Sequence, residues 1–151
     1  MTNKPDHSIK LIVDKFIFHF PADLKYSEAG LWIRRENSLV RLGLSDFAQQ
    51  RSGDIAFINP APAGSVLDAG DEIASIETVK VNISLPAPAK GTIVEVNEIL
   101  QESPELINQD PYGGGWIAVL RVEGQEWETG ELLDAEAYSN LAKQQAEQDS
   151  R

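Results

Sequence analysis

Ser75-Ile76-Glu77-Thr78-Val79-Lys80-Val81-Asn82-Ile83-Ser84 is the stretch on which the reading of this chain turns. Before it, Glu72-Ile73-Ala74-Ser75-Ile76 alternates polar and apolar residues. After it, Val81-Asn82-Ile83-Ser84-Leu85 does so strictly. Alternation with a period of two marks half-buried strands with one face on a core. A long cationic side chain between two such strands is not buried cheaply. Lys80 is therefore expected in solvent at the tip of a hairpin, a single amine on a rigid projection. Gly70, ten residues before it, and Gly91, eleven after, mark the next turns.

The 151 residues amount to one domain and a single core. Thirteen basic against twenty-four acidic residues give a net charge of −11. Such a balance argues against nucleic acid and anionic membranes, which demand basic patches, and favours basic docking sites on protein partners. No apolar run approaches the length of a membrane span, and residues 1–7 lack the apolar core of a signal peptide. A cytoplasmic location is expected. The chain has no cysteine, so it supplies neither disulfides nor thiol chemistry of its own.

Along the chain, residues 9–20 are rich in β-branched and aromatic types and read as one strand, with Phe16, Phe18 and Phe20 on one face. Residues 31–35 and 39–44 form a hairpin about Glu36-Asn37-Ser38. Ser45 is an N-cap for a short helix that Gly53 stops. Residues 55–58 form a strand, and Pro86 and Pro88 give the limb descending from Lys80 an edge position. Residues 91–97 and 116–122 are strands, residues 126–133 a short helical segment, and Asp134 caps a last helix to about residue 145. Its expected inward stripe is Ala137, Tyr138, Leu141 and Ala142. Trp32, Phe57 and Trp116 are expected in the core. Short strands between Gly and Pro turns, with helices at the ends, make the fold mainly β.

Direct catalysis has little support. The two histidines, His7 and His19, make no zinc pattern without cysteine. A nucleophilic lysine needs burial to depress its pKa, which a hairpin tip does not provide. Pro111-Tyr112-Gly113-Gly114-Gly115 is no phosphate cradle, because a strand follows in place of a helix and no lysine follows the glycines.

Several ordered segments resemble one family. Glu77-Thr78-Val79-Lys80-Val81 is similar to the lipoylation site of the glycine cleavage system H-protein, a relative of the lipoyl domains of 2-oxo acid dehydrogenases. Phe47-Ala48-Gln49 with Gly53-Asp54-Ile55-Ala56-Phe57 resembles the family's D-[YF]-A-Q…G-D-I-x-F. Residues 91–97 resemble G-x-[IV]-x-E-[IV]-N, and residues 103–116 resemble S-P-x-L-[IV]-N-x-x-P-Y-G-x-G-W. The resemblance spans roughly residues 20–142. It implies a lipoyl/biotinyl-type flattened barrel-sandwich hybrid with a short C-terminal helix. Residues 1–20 would be an N-terminal extension forming an added strand, 21–124 the lipoyl-carrier domain, and 125–151 a C-terminal helical segment and tail.

The resemblance further implies a non-catalytic carrier with lipoate attached covalently to Lys80. The carrier would shuttle an aminomethyl group and reducing equivalents between enzymes of the glycine cleavage system. Thr78, Val79 and Val81 would shape the site. Glu77 stays open between a contact of the lipoate-attaching enzyme and a solvated turn charge. The implied partners are that enzyme, glycine decarboxylase, aminomethyltransferase and dihydrolipoyl dehydrogenase. Biotinyl domains present Met-Lys-Met, whereas valines flank Lys80 here. Two positions depart from the family: Gly30-Leu31-Trp32 stands where H-E-W is usual, and Ser84 where an acidic residue is usual. In the family that glutamate lines the cleft of the loaded arm, so Leu31 and Ser84 imply a less polar cleft. They keep open an H-protein-like lipoate-binding protein serving a heterodisulfide-reductase-like sulfur-oxidation complex. A third reading is an unmodified scaffold domain.

Overall fold

The computed structural model describes residues 8–122 and 132–149. The chain begins with a hairpin of β1 (Ser8–Val13) and β2 (Phe16–Pro21). Then come β3 (Lys25–Tyr26), β4 (Leu31–Glu36), β5 (Leu39–Leu44), α1 (Asp46–Ser52) and β6 (Ile55–Pro60). The lysine hairpin follows β7 (Val66–Leu67) and consists of β8 (Glu72–Thr78) and β9 (Asn82–Pro86). After β10 (Gly91–Val96) come a 3₁₀ turn (Glu98–Gln101), α2 (Leu106–Gln109), β11 (Ala118–Val122) and α3 (Ala135–Asp149).

Two sheets carry the fold. One has six strands in the order β3-β4-β5-β11-β10-β7, and the other has three in the order β6-β8-β9. Their apolar residues meet in one core. Ile33, Val40, Leu42, Ile93 and Leu120 come from the larger sheet, and Ile58, Ile76 and Leu85 from the smaller. The alternation read after Lys80 holds in β9, where Leu85 is buried while Asn82 and Ser84 are exposed; in β8 a bulge between Glu72 and Ala74 breaks it, so Ile73, Ala74 and Ile76 are all buried. β9 is an edge strand, as Pro86 requires.

A second core is aromatic and joins the N-terminal hairpin to α1 and α3. Tyr26 and Tyr138 stack at 4.9 Å, with Phe20 edge-on to Tyr138 at 5.5 Å and Phe18 edge-on to Phe47 at 5.0 Å. Each polar tip has a partner, as buried Tyr and Trp require. Tyr26 donates to the Pro21 carbonyl at 2.8 Å, Tyr112 to the His19 carbonyl at 2.6 Å and Trp32 Nε1 to the Pro111 carbonyl at 2.7 Å. The Tyr138 and Ser45 hydroxyls lie 2.9 Å apart.

Four expectations change. Residues 9–20 are two strands, because Asp14 takes a left-handed φ of 55° and turns the chain back. Phe57 is 64% exposed. A bulge between Ile55 and Phe57 shifts the register against β8, so Ile55 and Ile58 face the core and Phe57 faces out. Trp116 is only half-buried, lying under the Arg41 guanidinium at 4.4 Å. α3 runs past residue 145 to Asp149, and Ala137 is exposed while Ala135, Ser139 and Ala146 join Tyr138 and Ala142 inside. The helical segment expected at 126–133 lies largely outside the described residues. Leu133 bonds with Tyr26 in both directions, at 2.7 and 2.8 Å.

Candidate functional site

Lys80 occupies the turn between β8 and β9, and Thr78 builds that turn. The Thr78 amide donates to the Val81 carbonyl at 2.9 Å. Its hydroxyl oxygen accepts from the amides of Val81 at 3.0 Å and Lys80 at 3.2 Å, and donates to the Val81 carbonyl at 3.2 Å. A short polar side chain thus closes the loop on itself, which is why threonine suits this position. Val79 is 94% exposed and Val81 46%, so the backbone on either side of Lys80 is presented rather than packed. Glu77 lies one residue below the turn, level with Phe57 on one neighbouring strand and Asn82 on the other.

Lys80 is exposed, yet its stem leans on the body of the protein. A methyl built on Gly53 would lie 3.6 Å from Lys80 Cε and 4.0 Å from Nζ. Gly53 closes α1, its amide donating to the Gln49 carbonyl at 3.1 Å. Asn108 holds this corner: its side-chain amide donates to the Gly53 carbonyl and to Gln49 Oε1, both at 2.9 Å, and its oxygen accepts from the Ile55 amide at 2.9 Å. Neither Gly53 nor Asn108 stands out in the sequence as part of the site. Both belong to segments that resemble the family, so the signal was present without its meaning.

Beside the hairpin lies a cleft of about 450 Å³. Val81 lines it from the turn, Ile83 from β9, Ala48, Arg51 and Ser52 from α1, Glu28 from the loop before β4, and Gln145 and Asp149 from α3. Arg51 is held across it. Nε and Nη2 donate to the two Asp149 oxygens at 2.9 and 3.2 Å, and Nη1 donates to Gln145 Oε1 at 3.1 Å. The same guanidinium lies 5.4 Å from the Phe47 ring centre. The positions expected to make this cleft less polar do not line it. Leu31 is fully buried in the main core. Ser84 faces away, because Ile83 and Leu85 hold the inward positions of β9, and its hydroxyl donates to Glu72 Oε1 at 2.7 Å. The cleft's polar lining comes instead from Glu28, Ser52, Gln145 and the Arg51–Asp149 pair.

The glycine cleavage H-protein profile matches residues 24–145. The chain belongs to that family. The glycine cleavage system H protein of Carboxydothermus hydrogenoformans is 42% identical over 127 residues, covering 84% of this chain and 97% of that one. The Escherichia coli O7:K1 protein of the same name is 43% identical over 122 residues, 80% of this chain and 94% of its own. A crystal structure of the glycine cleavage system H protein from Mycobacterium marinum superposes with a TM-score of 0.72 at 32% identity, covering 80% of this chain and 97% of that chain. The mainly β architecture with a C-terminal helix is therefore that of H-proteins. The β1–β2 hairpin lies before the matched span. Among the described residues, no cluster of three or more His, Asp or Glu could hold a metal ion. No helix among them is long and apolar enough to cross a membrane.

Proposed function

We propose that this chain is a non-catalytic lipoyl carrier of the glycine cleavage system, working in the cytoplasm, with lipoate attached covalently to Lys80. The observation that carries the reading is the placement of Lys80: an exposed amine on a turn closed by Thr78, beside a cleft large enough to take a loaded arm. Bound lipoate would supply a disulfide that can be reduced, loaded and reoxidised, a chemistry the cysteine-free chain lacks. The chain's own part is placement. Thr78 keeps the attachment point rigid, Gly53 gives the stem a surface to lie on, and Val79 and Val81 leave the tip open to enzymes. In this reading Glu77, next to the tip and on the outer face, is a contact for the lipoate-attaching enzyme.

The clients on this reading are glycine decarboxylase, aminomethyltransferase and dihydrolipoyl dehydrogenase, and Glu28 is the cleft carboxylate available to an amine on the arm. Residues 21–124 are the carrier domain, 1–20 an N-terminal extension to it and 125–151 a C-terminal helical segment and tail. Co-expression with a lipoate-attaching enzyme, followed by intact-mass measurement, should give one lipoyl addition. Lys80→Arg should give none and melt like the parent, since an exposed tip contributes within about 0.5 kcal/mol. Acylation persisting in that variant would exclude Lys80. Glycine–bicarbonate exchange with purified glycine decarboxylase should then proceed with the lipoylated parent; its absence would redirect attention to a sulfur-oxidation complex.

A further inference from the structure

A second cavity, of about 380 Å³, lies under the N-terminal hairpin. Val13, Asp14, Phe16 and Phe18 line it from the hairpin, Phe47 from α1 and Ala146 from α3. Its hairpin residues precede the span matched by the family. The cavity shares Phe47, Arg51 and Asp149 with the cleft beside Lys80, so the two adjoin along α1 at the Arg51–Asp149 ion pair. Phe16 remains 49% exposed, an aromatic ring only partly covered by its own chain. Gln50, on the rim, has its amide engaged with the Ile17 carbonyl at 3.0 Å and Asp46 Oδ1 at 3.1 Å.

We propose that this groove holds the oxidised dithiolane ring of the arm on Lys80. The proposal rests on the acylation of Lys80 argued above. Geometry supplies the route. The Lys80 stem lies at Gly53, where α1 ends, and the seven residues of α1 span about 10 Å at 1.5 Å per residue. An extended eight-carbon acyl chain has roughly the same length, so laid along α1 it brings its far end to Phe47. Chemistry supplies the affinity. Acylation replaces the ammonium with a neutral amide, and a closed disulfide ring is apolar. Sulfur against aromatic edges is favourable, and the ring would cover apolar surface that Phe16 now leaves to water. Asp14 and the Arg51–Asp149 pair sit at the polar side of the groove, so the apolar ring is placed against Val13, Phe16, Phe18, Phe47 and Ala146. The added hairpin thus gives the oxidised arm an apolar resting place next to the cleft.

The test compares methyl and aromatic NMR spectra of the full-length protein before and after lipoylation, with intact mass establishing that Lys80 is modified. The Val13 and Ala146 methyl signals should shift on lipoylation, and dithiolane protons should show cross-relaxation with the Phe16 and Phe18 rings. Phe16→Asp should abolish the shifts. Ile12→Asp should retain them, because Ile12 pairs with Ile17 on the other face of the hairpin and is 60% exposed. A lipoylated parent whose Val13 and Ala146 signals coincide with those of the unmodified protein, with no cross-relaxation to either ring, would overturn the proposal and leave the carrier reading standing. A chain that takes no lipoyl group would overturn the carrier reading and this inference with it.

Discussion

Lys80 meets the body of the protein at Gly53, whose φ of 83° and ψ of −166° lie in a region that only glycine enters without strain. Space is not the constraint, because an added methyl would make ordinary contact with the lysine stem. Gly53→Ala should therefore cost about 1–3 kcal/mol through the backbone alone. Chemical denaturation would measure it, and an unchanged midpoint would mean that the corner relaxes freely. Leu31 gives the opposite lesson. Family resemblance places a glutamate there, yet in this chain the position is sealed in the main core. Leu31→Glu would remove a packed side chain, at about 2–5 kcal/mol, and add the burial of a carboxyl without a partner. The variant should fold poorly or melt far below the parent; a parent-like melt would show that the side chain reaches the cleft after all.

At the scale of elements, the β8–β9 hairpin depends on Thr78 for its shape. Its hydroxyl takes part in three of the hydrogen bonds that close the turn. Thr78→Val keeps the branched shape and deletes all three. The turn is exposed and water replaces part of what is lost, so global stability should fall by only about 1 kcal/mol. The local consequence is larger: amide exchange at Lys80 and Val81 should accelerate, and acylation of Lys80 should slow because the amine is no longer held on a fixed tip. Equal acylation rates in parent and variant would show that the modifying enzyme imposes its own turn geometry. α3 is tied at its start by Asp134, whose carboxylate accepts from the Ala137 amide at 2.8 Å, and near its end by Arg51. That ion pair is about half exposed and contributes little to stability, so its main effect is to keep α3 against both cavities.

For the whole molecule, the aromatic core makes the fold sensitive to alkali. Burial pushes the Tyr138 hydroxyl up to about 12, partly opposed by its hydrogen bond with Ser45. Burial also raises Tyr26 and Tyr112, with smaller opposing effects from hydrogen bonds with Tyr112 and Asp46 respectively. An unfolded chain releases these protons near pH 10, while the folded chain keeps them longer. The folded state therefore binds more protons above pH 10, so stability is complete below that pH and declines as pH rises toward 12 and beyond. Tyr138 alone accounts for a loss of about 2–3 kcal/mol across that interval. Melting temperatures should be insensitive to tyrosine ionisation from about pH 7 to 9 and fall steeply above 10, less steeply in Tyr138→Phe. An identical slope in that variant would place the alkaline transition elsewhere.

Local chemistry alone determined the lysine hairpin, the Ser45 cap, the stop at Gly53, the Asp134 cap and the edge position of β9. Each follows from alternation, from a side chain that bonds its own backbone, or from a residue that lacks an N–H or a Cβ, and such causes act within a few residues. What the tertiary structure decided depends on register and on distant partners. The exposure of Phe57 comes from a bulge against β8, which the sequence of β6 does not encode by itself. The extra length of α3 is matched by Arg51, which reaches Asp149 from nearly a hundred residues away. The cleft gathers Glu28, Arg51, Ile83 and Asp149 from four separate segments, and the groove beside it exists because Asp14 folds one expected strand into two. Periodicity tells which residues share a face; only the pairing of strands and the packing of helices determine what that face meets.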